Sequence, residues 1–131
     1  MRDGMARTSE RVPVVIARSE DIPERGRTVV EVAGQEIGVF RFKGKLFAYS
    51  NYCAHAGGPV CQGMLIGRVV EQLAPDKQSL GDRFSDTELH IVCPWHGYEY
   101  DIETGAHPID SSIRLRPYPV YEQDGQVTIE L

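Results

Sequence analysis

The sequence of 131 residues predicts an all-β domain. Its apolar and β-branched residues fall in short runs, with Gly, Pro, Asn or Asp turn signals about every ten residues. No segment needs a helix of ordinary length to explain its apolar spacing. Asp124-Gly125, between two β-type runs, is a strong hairpin signal.

Residues 12–17 form the first expected strand, with Pro13 placing it near a strand start or a sheet edge. Residues 19–24 read as a turn with one short helical turn, closed by Gly26. Residues 28–32 are rich in valine and read as a strand. A turn at Ala33-Gly34-Gln35 leads into residues 36–42, where period 2 puts Ile37, Val39 and Arg41 on one face. Lys43-Gly44-Lys45 turns the chain into residues 46–50, which completes a three-stranded meander. Residues 64–70 are apolar enough for a strand, although Gly67 weakens it. Residues 73–83, polar and broken by Pro75 and Gly81, read as an excursion without regular structure. Strands are expected again at 88–92, 98–102, 113–116, 120–122 and 126–131, with Pro117 and Pro119 as separators.

Length and composition bound the function. The chain has the size of one domain and the make-up of a soluble globular protein, 41% hydrophobic and 25% charged. Its three cysteines, Cys53, Cys61 and Cys93, are an odd set that argues against a disulfide framework and for a reducing compartment. No apolar run approaches the roughly 18–20 residues that span a bilayer. The first eleven residues are polar, and a flexible tail is expected there, followed by a single domain over 12–131. The expected location is the cytoplasm, unanchored. The net charge of −5 is uneven: residues 1–60 carry +2 and residues 61–131 carry −7. That balance disfavours nucleic acid as a partner. It suits either a solvated acidic surface or a patch that steers docking onto a basic protein.

Two stretches concentrate the chemistry: Cys53-Ala54-His55 and Cys93-Pro94-Trp95-His96. Each places a thiol beside an imidazole in a loop rich in glycine and proline. The two stretches are 37 residues apart, so they meet only through tertiary folding. Two sulfur and two nitrogen donors satisfy a four-ligand metal site. Structural zinc fits the donor count, but its common patterns pair Cys with Cys and His with His. Mononuclear non-haem iron usually takes a carboxylate. Gly57, Gly58, Gly63 and Gly97 would let main-chain N–H groups approach inorganic sulfide closely.

Cys53-Ala54-His55-Ala56-Gly57-Gly58-Pro59-Val60 and Cys93-Pro94-Trp95-His96-Gly97 resemble the two cluster-binding boxes of Rieske [2Fe–2S] proteins. The strands before the first box (37–48) and after the second (98–105) are similar to that family as well. The resemblance implies a Rieske-type [2Fe–2S] cluster with Cys53 and Cys93 on one iron and His55 and His96 on the other. It implies an antiparallel β-sandwich base with a small cluster-binding subdomain formed by the two loops. Two neutral imidazoles in place of two thiolates would make the cluster easier to reduce than an all-cysteine one.

Departures from the pattern place the chain within the family. Respiratory-complex relatives carry a second cysteine pair bridging the loops, whereas Cys61 is single and reads as a small buried hydrophobe. Their serine two residues after the second histidine is Tyr98 here, while Tyr100 matches a tyrosine whose hydroxyl could reach a cysteine sulfur. Together these imply a potential in the lower part of the roughly −150 to +300 mV Rieske range. The interval between the boxes is longer than in soluble Rieske ferredoxins, with the surplus at about 66–88. It is either a tolerated surface insertion or a docking element, pairing with another subunit through Val69, Val70 and Leu73. His90 and His107 read as strand or surface residues rather than ligands.

The resemblance implies a soluble ferredoxin, not catalytic alone, that passes single electrons from a reductase to a terminal oxygenase, with no nucleic acid or membrane partner. A homo-oligomer formed through the insertion is a further expectation. Two alternatives stand beside it: a Rieske-type small subunit of a nitrite-reductase-like enzyme, and a zinc-stabilised binding module.

Overall fold

Strand β3 (Gln35–Phe42) is buried on both faces, and the rest of the fold is layered on it. The computed structural model describes residues 11–54, 57–73, 79–95 and 97–131, with the backbone alone at 68–73 and 79–87. The expected tail therefore lies outside the described residues, apart from exposed Arg11. The other strands are β1 (Pro13–Arg18), β2 (Arg27–Val32), β4 (Lys45–Ser50), β5 (Met64–Leu73), β6 (Ser79–Val92), β7 (Glu99–Asp101), β8 (Pro117–Tyr118), β9 (Val120–Gln123) and β10 (Gln126–Glu130). They form three antiparallel sheets, in the orders β1-β10-β9, β2-β3-β4-β8 and β5-β6-β7.

Alternation along β3 and β4 feeds two cores. Ile37, Val39 and Ala48 point toward the first sheet and pack with Ile22, Tyr118, Val127 and Ile129. Phe40, Phe42 and Tyr49 point the other way, into a core shared with Leu89 and Ile91 of β6, Tyr100 of β7 and all three cysteines. The first two sheets are thus the sandwich base, and the third sheet carries the second cysteine-bearing loop, between β6 and β7. Period 2 assigned Ile37 and Val39 to one buried face, and the structure adds a second buried face through Phe40 and Phe42.

Three two-residue hairpins set the register of the base. Ala33-Gly34, Lys43-Gly44 and Asp124-Gly125 all have positive φ at both positions, the conformation whose twist matches antiparallel strands. They join β2 to β3, β3 to β4 and β9 to β10, with continuous pairing on either side.

Arg41 shares the face of Ile37 and Val39, but it ties the layers together rather than filling the core. Its side chain is 14% exposed, and its guanidinium holds Glu122 of β9 through both carboxylate oxygens, at 3.2 and 2.9 Å. It also donates to the carbonyls of Ile22 (2.6 Å) and Ser19 (3.3 Å). The Arg41 hydrogen bonds to it, with one from the Ser19 side chain, hold the Glu122 carboxyl down at about 2.

Two expected elements differ. Residues 73–83 were expected to lack regular structure, yet β5 runs to Leu73 and β6 begins at Ser79, six residues on. The long hairpin is paired from Met64↔Val92 out to Leu73↔Ser79, with register shifts at Gly67/Val69 and Glu71/Leu73. Its polar strand is held by backbone pairing to the β-branched run of β5, and a bulge absorbs what Gly67 would disrupt. Within the expected insertion (66–88), residues 74–78 lie outside the described residues. Residues 113–116, expected as a strand, make only an isolated bridge, Ala106↔Arg114. The strand lies instead at Pro117–Tyr118, paired with β4 as the last strand of its sheet. A proline is tolerated at such an edge because its missing N–H has no ladder partner to leave unpaired.

The Arg41–Glu122 pair gives a signed pH prediction. Glu122 is depressed from 4.5 to about 2, so its stabilising effect is full above pH 4.5 and is lost as pH falls toward 2. The melting temperature of Glu122→Gln should therefore lie below the parent's at neutral pH and converge on it by about pH 2. Thermal melts between those limits check it.

Candidate metal centre

Loops of matching backbone shape present Cys53 and Cys93. In the first, the Cys53 N–H donates to the Gly58 carbonyl and the Gly57 N–H to the Cys53 carbonyl, both at 2.8 Å. In the second, the Cys93 N–H donates to the Tyr98 carbonyl (2.8 Å) and the Gly97 N–H to the Cys93 carbonyl (2.9 Å). Each cysteine therefore bonds to the residues four and five positions on. The residue four on is a glycine with positive φ, 77° at Gly57 and 73° at Gly97. A side chain there would strain the turn that closes each loop. The shared Cys-x-x-x-Gly spacing is the sequence signal for this shape.

Both thiols are buried to 1% exposure and join the second core. Gly58 lies directly against the other loop: a Cβ there would sit 3.0 Å from Cys93 Sγ and 2.8 Å from the Trp95 ring. The first loop thus needs glycine at the residue that faces the second loop's sulfur. Tyr100, fully buried on β7, places its hydroxyl 3.2 Å from Cys53 Sγ, as its position suggested. That bond links the strand leaving the second loop to the sulfur of the first. Trp95 and Tyr52 are 58% and 66% exposed, so the two loops present aromatic surface to solvent.

Two braces hold the first loop, and sequence reasoning missed both. Asn51 is 8% exposed; its side-chain carbonyl accepts the Cys61 N–H at 2.7 Å, and its amide donates to Glu36 (3.1 Å) and Gln62 (3.4 Å). Arg27 of β2 donates to the carbonyls of Cys61, at 3.0 Å, and Gly63. Their partners lie far away in the chain, so no local pattern marks them.

Cys61 is fully buried, and its thiol faces the carbonyls of Tyr49 (3.5 Å) and Ser50 (3.6 Å). Burial pushes its pKa up to about 12. It also fills the space that Gly38 leaves, where a Cβ would overlap its side chain. The expected small buried hydrophobe is what the structure shows.

His55 and His96 lie outside the described residues. His107 sits in its turn, where Nδ1 accepts the N–H groups of Ile109 (3.2 Å) and Asp110 (3.3 Å) and the ring packs on Tyr98. His90 lies on β6 but is far from surface-exposed, at 1%. The donors described here suit a soft, sulfur-bound iron centre: two buried thiols on matched loops, and a cradle at Gly58 that a Cβ would fill.

The chain matches the family model for the Rieske [2Fe-2S] domain over residues 12–119. It is 26% identical over 119 residues to the chloroplastic chlorophyllide a oxygenase of Oryza sativa subsp. japonica. That match takes in 87% of this chain and 18% of the oxygenase, so the chain spans less than a fifth of that relative's length. The fold is similar to the ferredoxin of carbazole 1,9a-dioxygenase from Nocardioides aromaticivorans, with a TM-score of 0.63 and 23% identity over 90% of this chain and 96% of that one. It is also similar to a protein of Mycobacterium tuberculosis assigned as the small subunit of an NADH-dependent nitrite reductase. There the TM-score is 0.68, with 14% identity over 92% of this chain and 96% of that one. The family match carries a Rieske-type cluster and sets aside the zinc alternative.

Two substitutions separate the roles of these residues. Gly58→Ala should lower cluster content, read as iron and sulfide per protein, because the added methyl meets both Cys93 Sγ and Trp95. Cys61→Ala should retain the cluster. In the apoprotein, under native conditions at pH 8, a disulfide reagent should leave Cys61 unmodified and react with it only after unfolding.

Proposed function

The chain belongs to the Rieske [2Fe–2S] domain family, and from that premise we propose that it is a one-electron carrier between a reductase and a terminal oxygenase. Cys53 and Cys93 would hold one iron of the cluster, and His55 and His96 the other. The cluster supplies reversible one-electron chemistry. The chain's own residues would hold and tune it: Tyr100 would donate to a ligating Cys53 Sγ, the loop glycines would admit close approach, and the buried core around both thiols would exclude water.

What supports the carrier reading is the surface at the loops. Trp95 and Tyr52 leave the core and stand exposed beside buried cysteines, so a partner docking there would lie close to the cluster edge. The similarity to a dioxygenase ferredoxin over nearly the whole of both chains agrees with it. Exchange of electrons would need no substrate pocket and no proton donor, and the protein would not be catalytic alone. A cytoplasmic location would suit such a carrier. Among the described residues no helix is long and apolar enough to cross a membrane.

A second reading is a Rieske-type small subunit held in a nitrite-reductase-like complex, which the similarity to the M. tuberculosis protein favours. The lengthened β5–β6 hairpin would then supply a lasting contact with a partner or with a second copy. Transient, salt-sensitive association with a reductase would support the carrier; a stable co-purifying complex would support the subunit.

The ligand assignment has a direct test. His55→Ala and His96→Ala should each abolish the Rieske absorbance and the half-spin resonance of the dithionite-reduced protein. His107→Ala and His90→Ala should retain both signals. Loss of the cluster in either of the latter would overturn the assignment.

A further inference from the structure

The outer face of the third sheet carries a buried group that the proposed function leaves unused. Leu89, Ile91 and Tyr100 point into the core, so alternation puts His90, Glu99 and Asp101 on the opposite face. The Cys93 N–H donates to the Tyr98 carbonyl and the Ile102 N–H to the Leu89 carbonyl. The pairs His90↔Asp101 and Val92↔Glu99 therefore fall at non-hydrogen-bonded positions, where side chains stand closest. His90, 1% exposed, has Nδ1 2.8 Å from Glu99 Oε1 and Nε2 2.7 Å from Glu88 Oε2. Asp101 brings a third carboxylate within 4.8 Å of His90 and Glu88.

A carboxylate only accepts hydrogen bonds, and a neutral imidazole has one N–H and one lone pair. Contacts at these lengths are hydrogen bonds, each with a carboxylate as one partner. Such charge-assisted bonds are short and directional. One of them crosses from β6 to β7, at the point where β7 leaves the second loop.

That crossing matters because, among the described residues, β7 has a single neighbouring strand. It is three residues long and pairs with β6 alone. Yet it carries Tyr100, whose hydroxyl reaches Cys53 Sγ on the other loop.

We propose that His90 is a positioning residue for the cluster: by gripping Glu99 and Glu88 it locks β7 in place, so that Tyr100 keeps its hydrogen bond to Cys53. A hydrogen bond to a cluster sulfur stabilises the more negative, reduced state, so a displaced Tyr100 lowers the reduction potential. The proposal rests on Cys53 being a cluster ligand.

The test compares the loaded parent with His90→Phe, Glu99→Ala, Tyr100→Phe and the double variant His90→Phe/Tyr100→Phe. His90→Phe keeps a ring of similar size, and Glu99→Ala alters a side chain that is 37% exposed, so it breaks the clamp should the first variant not fold. Both should retain the cluster absorbance. Their potentials should fall in the same direction as that of Tyr100→Phe, by at least half its shift, and the double variant should fall no further than Tyr100→Phe. Amide exchange in β7 should quicken about tenfold in His90→Phe and Glu99→Ala and stay unchanged in Tyr100→Phe. An unmoved potential with an intact spectrum, or shifts that add fully in the double variant, would overturn the clamp. A Cys53→Ser variant with an unaltered cluster spectrum would instead overturn the ligand assignment beneath it.

Discussion

Burial of β3 and β4 on both faces is the constraint on which the remaining structure depends. A sheet with one apolar face needs one partner layer, and this one needs two. Ile37, Val39 and Ala48 demand the first sheet, while Phe40, Phe42 and Tyr49 demand the layer that carries the cysteines. The metal loops are therefore roofed onto a core rather than hung from a linker. Tyr49 shows the coupling: its ring lies in that second core and its hydroxyl donates to the Ile102 carbonyl, just past β7, at 2.7 Å.

Rigidity at the loops comes from backbone carbonyls gathered by distant polar side chains. Arg27 from β2 and Asn51 from the end of β4 converge on the 61–63 segment, from opposite ends of the middle sheet's first three strands. Each bond satisfies a main-chain group that burial would otherwise leave unpaired. The same logic governs Arg41 on the other side of the sheet, where one guanidinium serves two carbonyls and a carboxylate. These three side chains, Arg27, Arg41 and Asn51, fix neighbouring backbone.

Much of this was legible in the chain because it is local. Positive-φ turns announce themselves through Ala33-Gly34, Lys43-Gly44 and Asp124-Gly125, and the strands between them follow from period 2. The cysteine loops were legible for the same reason, since each sets a Cys and a His in one short stretch rich in glycine and proline. Residues 73–83 and 113–116 were misread where propensity disagreed with pairing. The first stretch is polar but is carried by its partner strand, and the second alternates apolar and charged residues but bends beside two prolines.

By itself the sequence determined the all-β class, the two thiol-bearing loops, the lone Cys61 and the family those loops belong to. Each of these is set by residue type at short spacing. Only the tertiary structure decided which side chains brace the loops, that Gly58 faces Cys93, and that His90 lies buried among Glu88, Glu99 and Asp101. Those contacts join strands far apart in sequence or set on opposite sides of a loop, and nothing in local spacing records which faces meet once two cores have closed on one sheet.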